Sequence, residues 1–210
     1  MSKLQIEIVS DPVCPWCYIG KRRLEQALAE RPELDVAVQW TPFQLSPDMP
    51  REGHDRAEHY ARIFGAERAQ MIRESMRETG RAEGLDFDLK PGARSPNTLS
   101  AHVLMYWAAK QGLDGSALAE KLFHAHHVDC ENLGDPAVLA RLAAELGMDQ
   151  AQVRADLESG KDEDRVRELI SASAARGVTG VPFFIFNQRY AVSGAQPADA
   201  LLELIDRLVA

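Results

Sequence analysis

The order in which hydrophobic periodicity changes along this chain limits its fold more than any other feature. Leu4, Ile6 and Ile8 alternate with Gln5 and Glu7, the period-two pattern of a half-buried strand. Lys21 to Glu30 then places Leu24, Ala27 and Leu28 on one helical stripe, and Pro32 stops it. Leu34, Val36, Val38 and Trp40 restore the alternation. Strand, helix and strand in so short a span predict a βαβ unit with its two strands parallel. From about Ala57 to Arg176 the pattern turns helical almost throughout. Asn97 is the expected cap of a helix ending at Gly112, Asp135 and Pro136 open another, Asp149 a third, and a fourth covers Lys161 to Arg176. VPFFIF and RYAVSG, joined at Asn187-Gln188, read as an antiparallel hairpin with a two-residue turn. An amphipathic helix after Pro197 closes the chain with Leu201, Leu204, Ile205 and Leu208 turned inward. The expected fold class is therefore α/β, a βαβ and ββα mixed sheet in two portions, residues 1–56 and 161–210, with an all-helical insertion at residues 57–160.

With 210 residues, 45% of them hydrophobic, the chain can bury a full core without disulfide staples. Its net charge of -8 argues against nucleic acid or an anionic membrane as partner, since both select clustered Lys and Arg. No apolar run is long enough to span a bilayer, and the first residues show no apolar signal core, so the expected location is the cytoplasm. Thiols there are mostly reduced, and three cysteines cannot all pair within the chain.

Cys14 and Cys17 lie in SDPVCPWCYIG, between the first strand and the first helix. A sulfur at a helix N-terminus meets unpaired backbone N–H groups and the positive end of the helix dipole, an environment that favours thiolate over thiol. One helical turn brings the second sulfur within disulfide range. This points to Cys14 as nucleophile and Cys17 as resolving thiol, with Pro15 restraining the loop and Trp16 offering an apolar flank to a substrate. A zinc site needs two further ligands; His126, His127 and Cys130 are candidates only if the fold gathers them, so no metal is expected. Asp11 either exchanges a proton with Cys17 or simply starts a turn before Pro12.

Four motifs in order, SDPVCPWCYIG, RSPNTLSAH, GVTGVPFF and VSGAQ, resemble the thioredoxin superfamily, and within it the DsbA family and its FrnE-like subfamily; the likeness covers essentially the whole chain. The resemblance implies a thioredoxin fold and thiol-disulfide exchange, with a cis peptide bond before Pro182 facing the cysteines. Residues alone show only that Val181-Pro182 is a bond of the kind that tolerates the cis form. Val181 would then offer its backbone to an extended substrate. The redox-active Cys14–Cys17 pair is itself the working group, so no cofactor is expected, with glutathione as a possible co-substrate. The partner is a protein or small molecule carrying a thiol or disulfide. Direction of exchange and oligomeric state stay open.

The chain is also similar to 2-hydroxychromene-2-carboxylate isomerases and kappa-class glutathione transferases, which have serine where this chain has Cys14. A glutathione-dependent isomerase or transferase is thus an alternative, and a non-enzymatic redox sensor or zinc module another. Asn97 and His102 fall in a motif near the expected cleft, as substrate contacts or as cap and core histidine. Gly194 and Gln196 precede the last helix, whose N-terminus suits the carboxylate of glutathione, or form an ordinary turn. Cys130 is either an incidental thiol or a site of mixed-disulfide formation.

Overall fold

In the computed structural model, which describes residues 3–87 and 90–209, the first alternating segment is β1 (Leu4–Ser10). The positions outside that range include both ends of the expected mixed-sheet portions and two residues of the expected insertion. Helix α1 (Pro15–Ala29) begins at Pro15, earlier than the stripe from Lys21 suggests, because proline suits the first helical turn. Strand β2 (Val36–Pro42) is parallel to β1, in register from Leu4↔Val36 to Ser10↔Pro42. It starts at Val36 rather than Leu34 because Leu34 N still donates to Arg31 O in the preceding turn, at 3.1 Å.

The helical part contains α2 (Arg56–Phe64), α3 (Ala66–Ala82), α4 (Leu99–Lys110), α5 (Gly115–His127), α6 (Pro136–Ala144), α7 (Gln150–Glu158) and α8 (Glu163–Ala175). Two-residue strands, β3 (His54–Asp55) and β4 (Arg94–Ser95), pair antiparallel across it, too short to leave a periodic trace in sequence. Asp135 and Asp149 cap α6 and α7, accepting from Ala137 N and Gln152 N. Asn97 does not cap in the expected place. Helix α4 takes Thr98 as its N-cap, and Asn97 Oδ1 reaches forward to accept from Leu99 N at 3.0 Å.

The last elements are β5 (Phe183–Phe186), β6 (Tyr190–Ser193) and α9 (Ala198–Val209). Asn187 and Gln188 are both left-handed, but the pairing Phe186↔Tyr190 also leaves Arg189 unpaired, so the turn holds three residues, not two. The sheet order is β2-β1-β5-β6, with β5 antiparallel to β1. On one face, Leu4, Ile6, Ile8, Phe184 and Phe186 pack against Leu24 and Ala27 of α1 and Leu201 and Ile205 of α9. A separate core, centred on Leu104, Leu118, Leu122 and Leu139, holds the helices together. This is a thioredoxin fold carrying a helical insertion.

A buried ion cluster fastens α1 to α5. The Lys21 ammonium, only 5% exposed, meets Glu25 at 2.5 Å and Glu120 at 2.6 Å. Tyr18 Oη donates to Glu120 at 2.6 Å, and Arg22 pairs with the same carboxylate. Glu120→Ala leaves Lys21 buried with only a half-exposed partner, so a loss of about 3 kcal/mol is expected. Thermal unfolding should register it as a drop of about 8 °C. An unchanged transition would mean that Glu25 alone satisfies the ammonium.

Candidate active site

The central strand β1 and the start of α1 deliver the two cysteines to one place, and both are free thiols. Cys14 is the N-cap of α1, with its N–H donating to Asp11 O at 2.9 Å. Its thiol donates to Val181 O at 3.6 Å, which brings the β1–α1 junction against the loop before β5. Cys17, one turn along and 1% exposed, has its N–H on Cys14 O at 3.1 Å. Burial pushes the Cys17 thiol well up, reinforced by the adjoining Cys14 sulfur; the Ser10 hydroxyl and the Asp11 backbone act the other way. Pro15 is buried, while Trp16 is 39% exposed and presents its indole at the mouth of the site.

The Val181–Pro182 peptide bond is cis. Pro182 packs close to α1 because residue 20 is glycine. A Cβ there would stand 3.1 Å from Pro182 Cγ and 3.1 Å from the Phe184 ring, tighter than ordinary contact. Gly194 N donates to Pro182 O at 2.9 Å, and Ala195 O accepts from Arg23 at 2.6 Å, so the Gly194–Gln196 turn is drawn to the same loop. Gln196 itself is exposed and its amide turns back to Ser193 O.

Asp11 is 1% exposed, and its carboxyl accepts from Leu45 N at 2.8 Å and Val13 N at 3.4 Å. Burial raises its pKa to about 7 against these hydrogen bonds and one from Thr98. What it offers Cys17 is its backbone. His102 Nε2 lies 3.8 Å from that carboxyl and 2.8 Å from Phe43 O; a carbonyl only accepts, so Nε2 carries the proton. Asn97 bonds Gln44 and Met49 O rather than any group of the cysteine pair.

Several residues at the site carried no readable signal in the sequence. Tyr60 lies near Cys14, and burial together with that sulfur raises its phenol pKa. With Val13 and Pro15 it lines a small cavity, about 40 Å³, to which Arg56, Arg73 and Arg77 contribute. Their spacing, i to i+4 in both Arg56/Tyr60 and Arg73/Arg77, shows that each pair shares a helix face but not what the face meets. Arg56 is buried, bonded to His126 Nδ1 and O and set against the Cys130 sulfur. No carboxylate among the described residues forms an ion pair with these three arginines. His127 donates from Nε2 to Pro12 O at 3.1 Å, pinning the segment that leads to Cys14. Among the described residues no three of His, Cys, Asp and Glu are grouped to hold a metal ion, so the zinc reading has no ligand set there.

Two cysteines one helical turn apart at the start of the first helix thus lie opposite an X-Pro loop on a mixed sheet. Residues 5–206 match the model of the DSBA-like thioredoxin domain, and the chain belongs to that family. It is similar to a probable DsbA oxidoreductase, SCO1869 of Streptomyces coelicolor, with 32% identity and a TM-score of 0.87, covering 97% of this chain and 89% of that one. Two further structures show the fold alone. One is 2-hydroxychromene-2-carboxylate isomerase, with 14% identity, a TM-score of 0.74 and coverage of 98% and 96%. The other is the cytosolic disulfide reductase DsbM of Pseudomonas aeruginosa with GSH, with 21% identity, a TM-score of 0.65 and coverage of 98% and 100%. The family as a whole comprises oxidoreductases and isomerases.

Proposed function

We propose that this protein is a thiol-disulfide oxidoreductase of the DsbA/FrnE-like type, working through Cys14 and Cys17 without a further cofactor. The observation that carries the reading is the asymmetry of the pair. Both sulfurs are buried, Cys14 at 4% and Cys17 at 1% exposure, but Cys14 caps the helix beside Val181 while Cys17 sits one turn along with its thiol pushed up by burial. Such a pair divides the work: the outer sulfur exchanges with substrate and the inner one closes the ring. Val181 and Pro182 present backbone to the substrate beside Cys14, and Trp16 supplies apolar contact.

The three arginines around the small cavity bordered by Val13 and Pro15 favour a substrate with an anionic group near its sulfur, and glutathione carries such groups as co-substrate. The same pocket supports the second reading, a glutathione-dependent isomerase or transferase, which needs no second thiol. The Gly194–Gln196 turn would then help hold the tripeptide. We place the reaction in the cytoplasm, with no nucleic acid or membrane partner.

Trapping free thiols by mass across a glutathione redox series tests the reading directly. A single two-electron transition confined to Cys14 and Cys17 is the expected result. Its midpoint sets the direction of exchange, about 30 mV for each 1.4 kcal/mol. If both cysteines stay reduced at every poise, the exchange mechanism is wrong.

A further inference from the structure

The outer strand of the sheet carries backbone groups that the fold leaves unpaired. In the order β2-β1-β5-β6, β2 has a neighbour on one side only. Leu4 N donates to Asp35 O at 2.8 Å and Phe43 N to Ser10 O at 3.1 Å, so the odd-numbered residues from Asp35 to Phe43 bond β1. The backbone groups of Val38, Trp40 and Pro42 therefore point away from the sheet. Ser173 Oγ of α8 donates to Pro42 O at 3.1 Å, but among the described residues no hydrogen bond reaches the outward N–H and C=O of Val38 or Trp40.

This open edge lies in a cavity of about 840 Å³, to which every residue of Val38–Pro42 contributes and which α4, α5 and α8 complete. Val38 and Trp40 lie opposite Ile6 and Ile8 in the ladder, while Gln39 and Thr41 lie opposite Glu7 and Val9, so one side of the strand is apolar and the other polar. Trp40 Nε1 donates to Ser116 Oγ at 3.1 Å, which fixes the indole against the start of α5, and Leu113 and Phe123 extend the apolar lining. Among the described residues the lining holds two arginines, Arg165 and Arg176, against one carboxylate, Glu7, a local excess of positive charge in a chain of net charge -8. Arg176 already neutralises Glu7 at 2.6 Å. Arg165 is exposed and holds Glu168 at 2.7 Å, a surface pair that a ligand carboxylate can replace at little cost.

We propose that the open edge of β2 docks an extended peptide segment of a partner protein, with apolar and acidic residues alternating, as an added strand. The edge offers the unpaired N–H and C=O groups that such a backbone pairs with, and Val38–Pro42 extends over about 17 Å. Apolar side chains of the segment lie beside Val38 and Trp40, and acidic ones lie on the side of Gln39 and Thr41, within the field of Arg165. Because the helices recess the edge, a second copy of this chain, with its own edge recessed in the same way, does not reach it, whereas a single strand does. The site makes no use of the cysteine pair and stands independently of the exchange reading.

The test uses the full chain and a fluorescein-labelled Val-Glu-Val-Glu-Val peptide, which has no thiol and so cannot bind by disulfide exchange. Fluorescence anisotropy should show saturable binding. Ala172→Trp, a wedge at an exposed position of the cavity wall, should abolish it. Arg165→Glu should weaken it about fivefold, and a Val-Lys-Val-Lys-Val peptide should prefer that variant to the native chain. N-methylation of alternate peptide residues should abolish binding when it covers one set of N–H groups and spare it when it covers the other, since an added strand turns only alternate groups to β2. The methylation pattern needs no variant, so it decides even where the wedge disturbs the fold. Absence of binding at millimolar peptide, native affinity in a folded Ala172→Trp chain, or equal effects of the two methylation patterns overturns the proposal. So does a dimer that Ala172→Trp separates, which would give the edge to a second copy, or an apolar dye such as anilinonaphthalene sulfonate that fills the cavity while the peptide does not.

Discussion

Cys14→Ser should abolish disulfide exchange, whereas Cys17→Ser should retain the first half of the reaction and accumulate a mixed disulfide at Cys14. The difference follows from where each sulfur sits. Cys14 is the helix cap, its thiol directed at the Val181 carbonyl beside the pocket mouth. Cys17 is enclosed by Ser10, the Asp11 backbone and Cys14, and its thiol is pushed up by burial. An incoming disulfide therefore meets Cys14, and without Cys17 nothing inside the protein removes the adduct. Quenched samples of each variant with glutathione disulfide, resolved by mass, distinguish the outcomes. An adduct on Cys17 or Cys130 in place of Cys14 contradicts the assignment. Glutathione conjugation of an electrophile that persists in Cys17→Ser favours the transferase reading.

Acidification below pH 6.5 should destabilise the fold steeply. Burial lowers the pKa of His102 to about 4 and of His127 to about 3, and drives that of His126 well below its ordinary value, helped by Arg56. An unfolded histidine binds a proton near 6.5, so below that pH the unfolded chain holds more protons and gains relative to the fold. Their contribution is complete above pH 6.5 and is lost as pH falls towards the folded values. His102 and His127 each account for about 1.4 kcal/mol per pH unit, so the two lose about 5 kcal/mol by pH 4.5, and His126 adds in the same direction.

Asp11 opposes them. Its folded pKa, raised to about 7, exceeds the unfolded value, so its protonated form supports the fold at low pH and that support disappears as pH rises towards 7. Protonation of this carboxylate on acidification returns about 3 kcal/mol, leaving a net loss of about 2 kcal/mol between pH 7 and 4.5 from His102 and His127, to which His126 adds. That is a large part of a typical domain's stability. Urea midpoints at three pH values across this range should fall monotonically, more steeply in Asp11→Asn. A flat profile would mean that the three imidazoles accept protons without leaving their buried sites.

The parallel direction of β1 and β2, the final hairpin and the capped helices were legible because each follows from pattern along a short stretch of chain. Alternation fixes which side chains of β1 face α1, and Asp135 and Asp149 cap from within their own turns. Asn97 shows the limit of that reading. Its side chain does reach Leu99 N, yet contacts with Gln44 and Met49, distant in sequence, settle its orientation. His126 and His127 show it more sharply. As residue types they suggested metal ligands, and the fold uses them as neutral groups bonded to Arg56 and Pro12.

The sequence by itself determined the broad order of βαβ unit, helical block and final hairpin with helix, and the placement of Cys14 and Cys17 at a helix start, since both follow from neighbours along the chain. Tertiary structure alone decided that Gly20 admits Pro182, that Glu120 neutralises Lys21, and that His127 pins Pro12 ahead of Cys14. The physical reason is separation along the chain. Periodicity and capping are short-range interactions, whereas burial, the pairing of charges and the shape of a cavity arise only when distant segments exclude water from one another.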